Sequence, residues 1–235
     1  MEPALNPALD QDKIAESFAR ERRVHIPSAL TRESAERVHR ALAQETDFSL
    51  LCRTGDDQAQ AWRAAALTPQ KEAELMNAAY ANAQAGFHYL YDGHVLSRYG
   101  EAYADPSHPL AAVVSFLNSA PFLDFARRVT GNRAIAFADA QAARYRRGHF
   151  LGRHDDGNDK GRIAAYVLNM TPRWRPDWGG ALLFPDRPGH FSGGYLPAFN
   201  ALNLFAVPQD HMVGFVSPFA GAHRLSVTGW FRARI

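Results

Sequence analysis

The residues best suited to chemistry in this sequence are a histidine and an aspartate two positions apart, His154 and Asp156. In an extended segment, residues i and i+2 point to the same side, so the imidazole and the carboxylate can reach one small ion. A third ligand must come from elsewhere, and His211, at the start of a predicted strand, is the best placed of the ten histidines. Two histidines and one carboxylate with open positions opposite them form a facial triad suited to non-haem iron(II).

These three residues alone do not separate a metal site from ordinary surface or capping residues, because the spacing His-x-Asp also occurs by chance. His223 is a rival third ligand, since it stands directly before Arg224. Neighbours in a strand point to opposite sides, however, and this favours His211 over His223.

The last predicted strand, 224–234, has a polar face within an apolar segment. Its alternate positions are polar on one side, at Arg224, Ser226 and Thr228, while the other side is apolar and is expected to pack against helices. Burying a guanidinium is costly unless it is paired, and a carboxylate matches its fork in geometry. The partner is either a protein Asp or Glu or the carboxylate of a ligand, and the strand alone leaves both open.

The elements that must position these residues differ between the two halves of the chain. The first ~135 residues have mainly helical periodicity. Ser, Thr, Pro and Gly signals predict four helices there, the first three beginning near Thr31, Thr68 and Ser107, and the last running from Ser119 to Gly131. The stretch Gly55–Gln60 is the most loop-like interior segment.

After Gly131 the segments become short, β-branched or aromatic, and turn residues separate them. This pattern predicts strands near 134–140, 142–150, 162–169, 180–184, 201–207, 211–217 and 224–234. So many closely spaced strands favour a β-sandwich or jelly roll with the helices on one face. We expect one domain over residues 1–235, with 1–133 as mainly helical support and a lid, and 134–235 as the β core.

Composition limits the class of protein. The 235 residues include 26 Lys and Arg against 24 Asp and Glu, a near-neutral balance that argues against a nucleic-acid partner and a polybasic membrane binder. The single cysteine, Cys52, excludes an intrachain disulfide and a thiolate zinc site. No signal peptide and no run of ~20 apolar residues is visible, so we expect a cytoplasmic protein without a membrane span.

Taken in order, the motifs resemble the 2-oxoglutarate- and iron(II)-dependent dioxygenases over residues 136–234. Within that superfamily the chain is similar to the prolyl 4-hydroxylase-like branch, near the ribosomal-protein prolyl hydroxylases and their bacterial relatives. The resemblance is carried by Tyr145-x-x-Gly148, His154-x-Asp156, Arg162-Ile-Ala, Trp178-Gly-Gly-Ala-Leu-Leu-Phe184, Asn200 through Val207, His211-x-Val213, and Arg224-x-Ser226 with its Gly-Trp-Phe ending.

The resemblance implies an α+β, mainly β protein built on a double-stranded β-helix, which is a jelly-roll or cupin-like fold, with supporting N-terminal helices. It implies the cofactors Fe(II), 2-oxoglutarate and O₂, with ascorbate as an auxiliary reductant. Fe(II) would be held by His154, Asp156 and His211, which are also the catalytic residues. The 5-carboxylate of 2-oxoglutarate would be bound by Arg224, with help from Ser226 and Tyr145.

One position departs from this branch. Related enzymes often have a tyrosine that contacts the co-substrate where this chain has Leu168. Tyr166 lies two residues earlier on the same strand face and is the candidate replacement. Asp156 is retained, and since related halogenases replace it by a small residue, its presence implies hydroxylation.

The activity implied is hydroxylation of a prolyl residue in a protein or peptide. Two alternatives remain: hydroxylation of a free amino acid or other small molecule, and a non-catalytic metal- or ligand-binding β-barrel. Nucleic-acid demethylation is disfavoured, because that branch has a second arginine where this chain has Trp230. Two aromatic segments, Gly86–Gly93 and Arg173–Trp178, are candidates for a lid and a rim that recognise a peptide, or for ordinary core and loop aromatics.

Overall fold

The computed structural model describes residues 2–53, 59–157, 159 and 161–234, so most of the predicted loop Gly55–Gln60 lies outside the described residues. Helices α1–α5 are Gln11–Glu21, Arg32–Arg40, Pro69–Ala83, Pro109–Leu117 and Ala120–Thr130. Strands β1–β13 are Arg23–Pro27, Ser49–Arg53, Ala59–Arg63, Tyr89–Ser97, Phe137–Ala138, Ala140–Tyr145, Phe150–His154, Arg162–Met170, Leu182–Arg187, His190–Tyr195, Phe199–Ala206, His211–Val213 and Arg224–Arg232.

The predicted helix boundaries in the first half are largely confirmed. Thr31 caps α2 and Thr68 caps α3, since each side chain accepts a hydrogen bond from a backbone N–H in the first turn. The cap of α4 is His108 rather than Ser107: its ring nitrogen accepts from the Leu110 amide at 3.1 Å. Among the described residues no single helix is long and apolar enough to cross a membrane; α4 and α5 reach that length only as a pair bent by 48°.

The first half is less helical than predicted, because it also contributes β1–β4. These strands lack a strong local signal: β4 carries an Asp-Gly pair, which is typical of a turn, in its middle. Strands β1 and β4 take their hydrogen bonds from strands distant in sequence, with β1 pairing to β11 and β4 to β6 and β7, while β2 pairs with its neighbour β3 and with β4. The change of sequence texture near residue 133 therefore does not divide the sheet.

The strands form one antiparallel sheet that curls into a nearly closed barrel. Its order is β1-β11-β8-β13-β6-β4-β7-β12-β9-β10, with β2 and β3 added beside β4 and β5 beside β13. This is a double-stranded β-helix, so the predicted jelly-roll fold is confirmed.

The two faces of the barrel sheet contribute to different cores. On β8 the side chains of Ala164, Tyr166 and Leu168 pack toward the helices, whereas Ala165 and Val167 point into the barrel. On β13 the apolar residues Leu225, Val227 and Phe231 join the helix-side core, as predicted. The alternate positions of both strands are thereby left for the barrel interior, where the polar residues of the site lie.

Candidate metal centre and co-substrate site

The two predicted histidine ligands lie opposite each other on neighbouring strands. His154 ends β7, His211 begins β12, and the antiparallel register pairs them directly. Their ring centroids are 4.1 Å apart. Beside them, Arg153 Nε donates to Asp210 Oδ2 at 3.1 Å, which joins the same two segments on the solvent side.

Both imidazoles are oriented by a backbone carbonyl. His154 Nδ1 lies 2.9 Å from the oxygen of Gly152, and His211 Nδ1 lies 2.8 Å from that of Gln209. A carbonyl only accepts hydrogen bonds, so each Nδ1 acts as the donor and each Nε2 is the ring nitrogen left to bind a metal. Burial is the main cause that lowers the pKa of His211 to about 4, so this imidazole stays neutral at ordinary pH.

Asp156 reaches the histidines from a turn rather than from a strand. Strand β7 ends at His154, and Asp156 has a φ of 63°, a left-handed conformation that aspartate tolerates better than most residues. The predicted pair of ligands is therefore brought together, but strand alternation is not the reason. The carboxylate oxygens lie 3.7 Å from His154 Nε2 and 3.6 Å from His211 Nε2.

The three residues fit a metal ion. Their ligand atoms all lie within 4.8 Å of one another, and this is the one such His/Cys/Asp/Glu cluster among the residues that the structure describes; His223 is not part of it. Two imidazoles and one carboxylate are a donor set that suits Fe(II) and leaves further coordination positions open. The open side faces a cavity of about 590 Å³ whose walls include all three residues.

Arg224 lies in the same cavity and is 2 % exposed. No ion pair among the described residues involves Arg224, and its Nε has no hydrogen-bond partner. Its guanidinium carbon lies 4.7 Å from the centre of the Tyr145 ring. Burial lowers the pKa of Arg224, and Tyr145 opposes that effect. A charged, buried fork without a protein carboxylate is suited to the carboxylate of a ligand.

Tyr145 and Ser226 flank this guanidinium. Tyr145 is the cross-strand partner of Arg224, and Ser226 lies two residues further along β13 on the same face. Burial raises the pKa of Tyr145 while the charge of Arg224 opposes the shift, so the phenol remains a hydrogen-bond donor at ordinary pH. Both residues line the cavity.

The candidate Tyr166 is wrong as a cavity residue. Its side chain is fully buried in the helix-side core, and its hydroxyl donates to the backbone oxygen of Asp139 at 2.6 Å. Tyr166 and Leu168 do share a strand face, but that face points to the helices, so neither lines the cavity.

Of the two aromatic segments that were candidates for a lid and a rim, only the first lines the cavity. Phe87, Tyr89 and Tyr91 line the cavity, but Tyr89 and Tyr91 belong to β4, a sheet strand. Trp174 and Trp178 do not line it; their rings lie 5.3 Å apart, and Trp174 Nε1 donates to Gly179 O at 2.9 Å. The tryptophans pack instead against the hydrophobic cluster that contains Tyr145 and Val213, as part of the fold.

Sequence reasoning missed two residues that contact the metal-site carboxylate. Trp230 Nε1 donates to Asp156 Oδ2 at 2.8 Å, and Arg162 Nη1 donates to Asp156 Oδ1 at 3.2 Å. Trp230 shares its strand face with Arg224, and this alternation is the signal that could have indicated it. No local signal connects Trp230 to Asp156, which lies 74 residues away.

Residues 140–232 match the family described as the 2OG-Fe(II) oxygenase superfamily. The resemblance to this superfamily is confirmed. Its members use Fe(II), 2-oxoglutarate and O₂, and the matched segment of this chain contains the His154-Asp156-His211 cluster. No curated protein matches the chain significantly in sequence.

Solved structures of the oxygenase superfamily share the fold of the whole chain. A 2OG-Fe(II) oxygenase family oxidoreductase from Burkholderia pseudomallei has a TM-score of 0.63 at 13 % identity, covering 99 % of this chain and 95 % of that one. A Pseudomonas putida prolyl-4-hydroxylase has a TM-score of 0.58 at 19 % identity, with coverages of 96 % and 100 %. A Trichoplax adhaerens prolyl hydroxylase, in complex with a hypoxia inducible factor peptide fragment, has a TM-score of 0.63 at 16 % identity, with coverages of 95 % and 89 %.

Proposed function

We propose that this oxygenase hydroxylates a prolyl residue in a protein substrate. The observation that carries the oxygenase chemistry is the shared cavity: the His154-Asp156-His211 cluster and the carboxylate-free guanidinium of Arg224 line the same walls. An ion and a diacid can therefore bind side by side, which 2-oxoglutarate-dependent oxidation requires.

Each residue has a distinct task in this proposal. His154, Asp156 and His211 would hold Fe(II), and Arg224 with Tyr145 would hold the far carboxylate of 2-oxoglutarate. When bound, Fe(II) and 2-oxoglutarate activate O₂, so that one oxygen atom enters the substrate as a hydroxyl group and the other enters succinate as CO₂ is released. The protein supplies orientation and a largely apolar enclosure that limits access of water.

The aromatic residues that line the cavity beside the metal ligands favour a peptide as the substrate. Phe87, just before β4, and Tyr89 and Tyr91 within it form an aromatic wall, with successive ring centroids 5.9 and 5.6 Å apart. The ring of Phe87 also lies 5.2 Å from that of His154, so this wall runs directly to the metal ligands. Aromatic faces offer apolar contact area to the pyrrolidine ring of a prolyl residue. The prolyl hydroxylases of Pseudomonas putida and Trichoplax adhaerens, the latter with a bound peptide, add support from the same fold.

The test is incubation of the protein with Fe(II), 2-oxoglutarate and ascorbate, in parallel with proline-containing peptides, a proteome extract and free amino acids. The proposal predicts succinate release and a mass gain of one oxygen atom on a prolyl residue, located by tandem mass spectrometry. Asp156→Ala is the matched inactive control. A product formed only from free amino acids would indicate that the substrate is a small molecule rather than a protein. No 2-oxoglutarate turnover with any substrate would favour a non-catalytic binding protein.

A further inference from the structure

The carboxylate of Asp156 receives one protein donor on each oxygen. Trp230 supplies a neutral indole N–H to Oδ2 at 2.8 Å, and Arg162 supplies a cationic N–H to Oδ1 at 3.2 Å. Asp156 is 9 % exposed, so these two donors replace most of the water that an exposed carboxylate would bind. Two donors on different oxygens fix the rotation of the carboxylate about its side-chain bonds.

The two donors also contact each other. The guanidinium carbon of Arg162 lies 3.8 Å from the centre of the Trp230 ring, a close cation–π contact. The two residues are contributed by the adjacent strands β8 and β13, whose register brings the start of one beside the end of the other. Displacing either side chain would therefore disturb both hydrogen bonds to Asp156.

A partly buried ion network anchors this pair to the fold. Arg162 Nε lies 3.8 Å from Asp159 Oδ2. Arg232 contacts two carboxylates: its Nη2 lies 2.7 Å from Asp159 Oδ2, and its Nη1 lies 3.1 Å from Asp139 Oδ2. Alternating charges thus continue from Asp156 through Arg162 to Arg232, away from the metal site. The network therefore holds Arg162 through a second carboxylate, that of Asp159, besides the one of Asp156.

Glycine at position 229 permits the close strand approach that places Trp230. A Cβ atom at Gly229 would lie 2.0 Å from the backbone oxygen of Asp139, well inside contact distance. The amide of Asp139 in turn donates to the backbone oxygen of Trp230 at 3.0 Å. The backbone on which Trp230 stands is therefore fixed by its contacts with the backbone of Asp139.

We propose that Trp230 and Arg162 are positioning residues that hold the Asp156 carboxylate in the orientation in which it binds the metal. The inference rests on the proposed metal site but not on any substrate. Without these donors, Asp156 would rotate among several orientations, and the metal would have to select one of them on binding. Both metal affinity and coordination geometry would change, while the fold and Arg224 would stay in place.

The test is direct titration of the full-length protein with Co(II), without 2-oxoglutarate and without substrate, followed by the visible absorption of the bound ion. Trp230→Phe keeps an aromatic ring but removes the N–H, and Arg162→Met keeps an apolar stem but removes the charge. Each is expected to weaken Co(II) binding by about tenfold or more and to change the shape of the absorption band. Thermal unfolding checks that each variant is folded.

Two further variants make the result specific. Trp230→His restores a ring N–H at this position and is expected to recover part of the affinity lost in Trp230→Phe. Trp62→Phe, in β3 and outside the cavity, is the matched control and is expected to bind Co(II) like the unmodified protein. Should Trp230→Phe unfold, Arg162→Met and Trp230→His carry the test alone.

Unchanged Co(II) affinity and an unchanged spectrum in folded Trp230→Phe and Arg162→Met would overturn the inference. Failure to find a prolyl substrate would leave it standing, because no substrate enters the titration. Failure of the unmodified protein to bind Co(II) would instead remove the metal site itself, and with it both the proposed function and this inference.

Discussion

Two buried arginines at opposite ends of β13 have opposite electrostatic surroundings. Arg224 and Arg232 are 2 % and 6 % exposed and stand on the same face of the strand. Arg232 lies 3.1 Å from Asp139 and 2.7 Å from Asp159. Arg224 has no carboxylate partner among the described residues and borders the cavity that contains the metal ligands.

This difference separates an arginine that stabilises the fold from one that is available to a ligand. A buried cation without a counter-charge costs folding free energy, whereas one with two carboxylates recovers much of that cost. The pairing at Arg232 satisfies its charge within the fold. At Arg224 the fold supplies no such carboxylate, so a ligand in the cavity must supply it. The 5-carboxylate of 2-oxoglutarate can fill this role.

The variant Arg224→Met tests the difference between the two arginines most strongly. Removing one partner of a buried charge pair costs about 2–5 kcal/mol of binding free energy, so the affinity for 2-oxoglutarate should fall by about thirtyfold or more. The free energy of unfolding should be unchanged or slightly increased, because an unpaired buried charge is lost. Calorimetric titration of 2-oxoglutarate and thermal unfolding measure the two effects. A marked loss of stability with unchanged affinity would show that Arg224 belongs to the fold.

Arg232→Met should give the opposite result. It leaves Asp139 buried without its cation, and breaking such a pair destabilises a protein by about 3 kcal/mol. The affinity for 2-oxoglutarate at saturating metal should change far less than in Arg224→Met. Chemical denaturation followed by circular dichroism measures the stability, and a variant as stable as the unmodified protein would contradict this account.

Tyr145→Phe should have an intermediate effect on the affinity for 2-oxoglutarate. Loss of the phenol O–H should weaken 2-oxoglutarate binding by about tenfold, the value of one hydrogen bond to a charged group. Because burial raises the pKa of Tyr145, its phenol stays protonated while an exposed tyrosine titrates near pH 10.0.

Tyr145 also predicts a pH dependence of stability. The unfolded chain loses the phenol proton as pH rises through about 10, while the folded chain keeps it, so the contribution of Tyr145 to stability is lost only above that pH. Denaturation at increasing alkaline pH should therefore show a smaller decline in Tyr145→Phe than in the unmodified protein. Equal declines in both proteins would argue against a buried phenol at this position.

The smallest expected effect is that of Ser226→Ala. Ser226 is 1 % exposed and lines the cavity two residues from Arg224. Loss of one neutral hydrogen bond should weaken 2-oxoglutarate binding by about 1 kcal/mol, or about fivefold. Thr228→Val, two residues further on, is a comparison on the same face. A larger effect at Thr228 than at Ser226 would indicate that the co-substrate binds further along β13, closer to Thr228.

The site was more predictable than the fold around its entrance. Strand alternation correctly grouped Arg224, Ser226 and Thr228 on the cavity side, because a period of two requires only local sequence. The same rule correctly placed Tyr166 with Leu168 but could not tell which face of β8 points into the barrel. That choice depends on where the helices pack, which is a tertiary property.

Strands β1–β4 were missed for a related reason. The segment of β4 has aromatic residues together with Asp92 and Gly93, and its local pattern is typical of a loop with a turn. Pairing with β2, β6 and β7 makes it a strand, and those partners are distant in sequence. The contacts of Asp156 with Arg162 and Trp230 likewise follow from the closed barrel rather than from any local motif.

The most direct test of the central claim is anaerobic titration of the protein with Fe(II) and 2-oxoglutarate, followed by visible absorption. The account predicts a weak metal-to-ligand charge-transfer band in the unmodified protein and its loss in Asp156→Ala and His211→Ala. In Arg224→Met the band should appear only at much higher 2-oxoglutarate concentration. No band in the unmodified protein, or an equal band in Asp156→Ala and His211→Ala, would contradict a shared site for iron and 2-oxoglutarate.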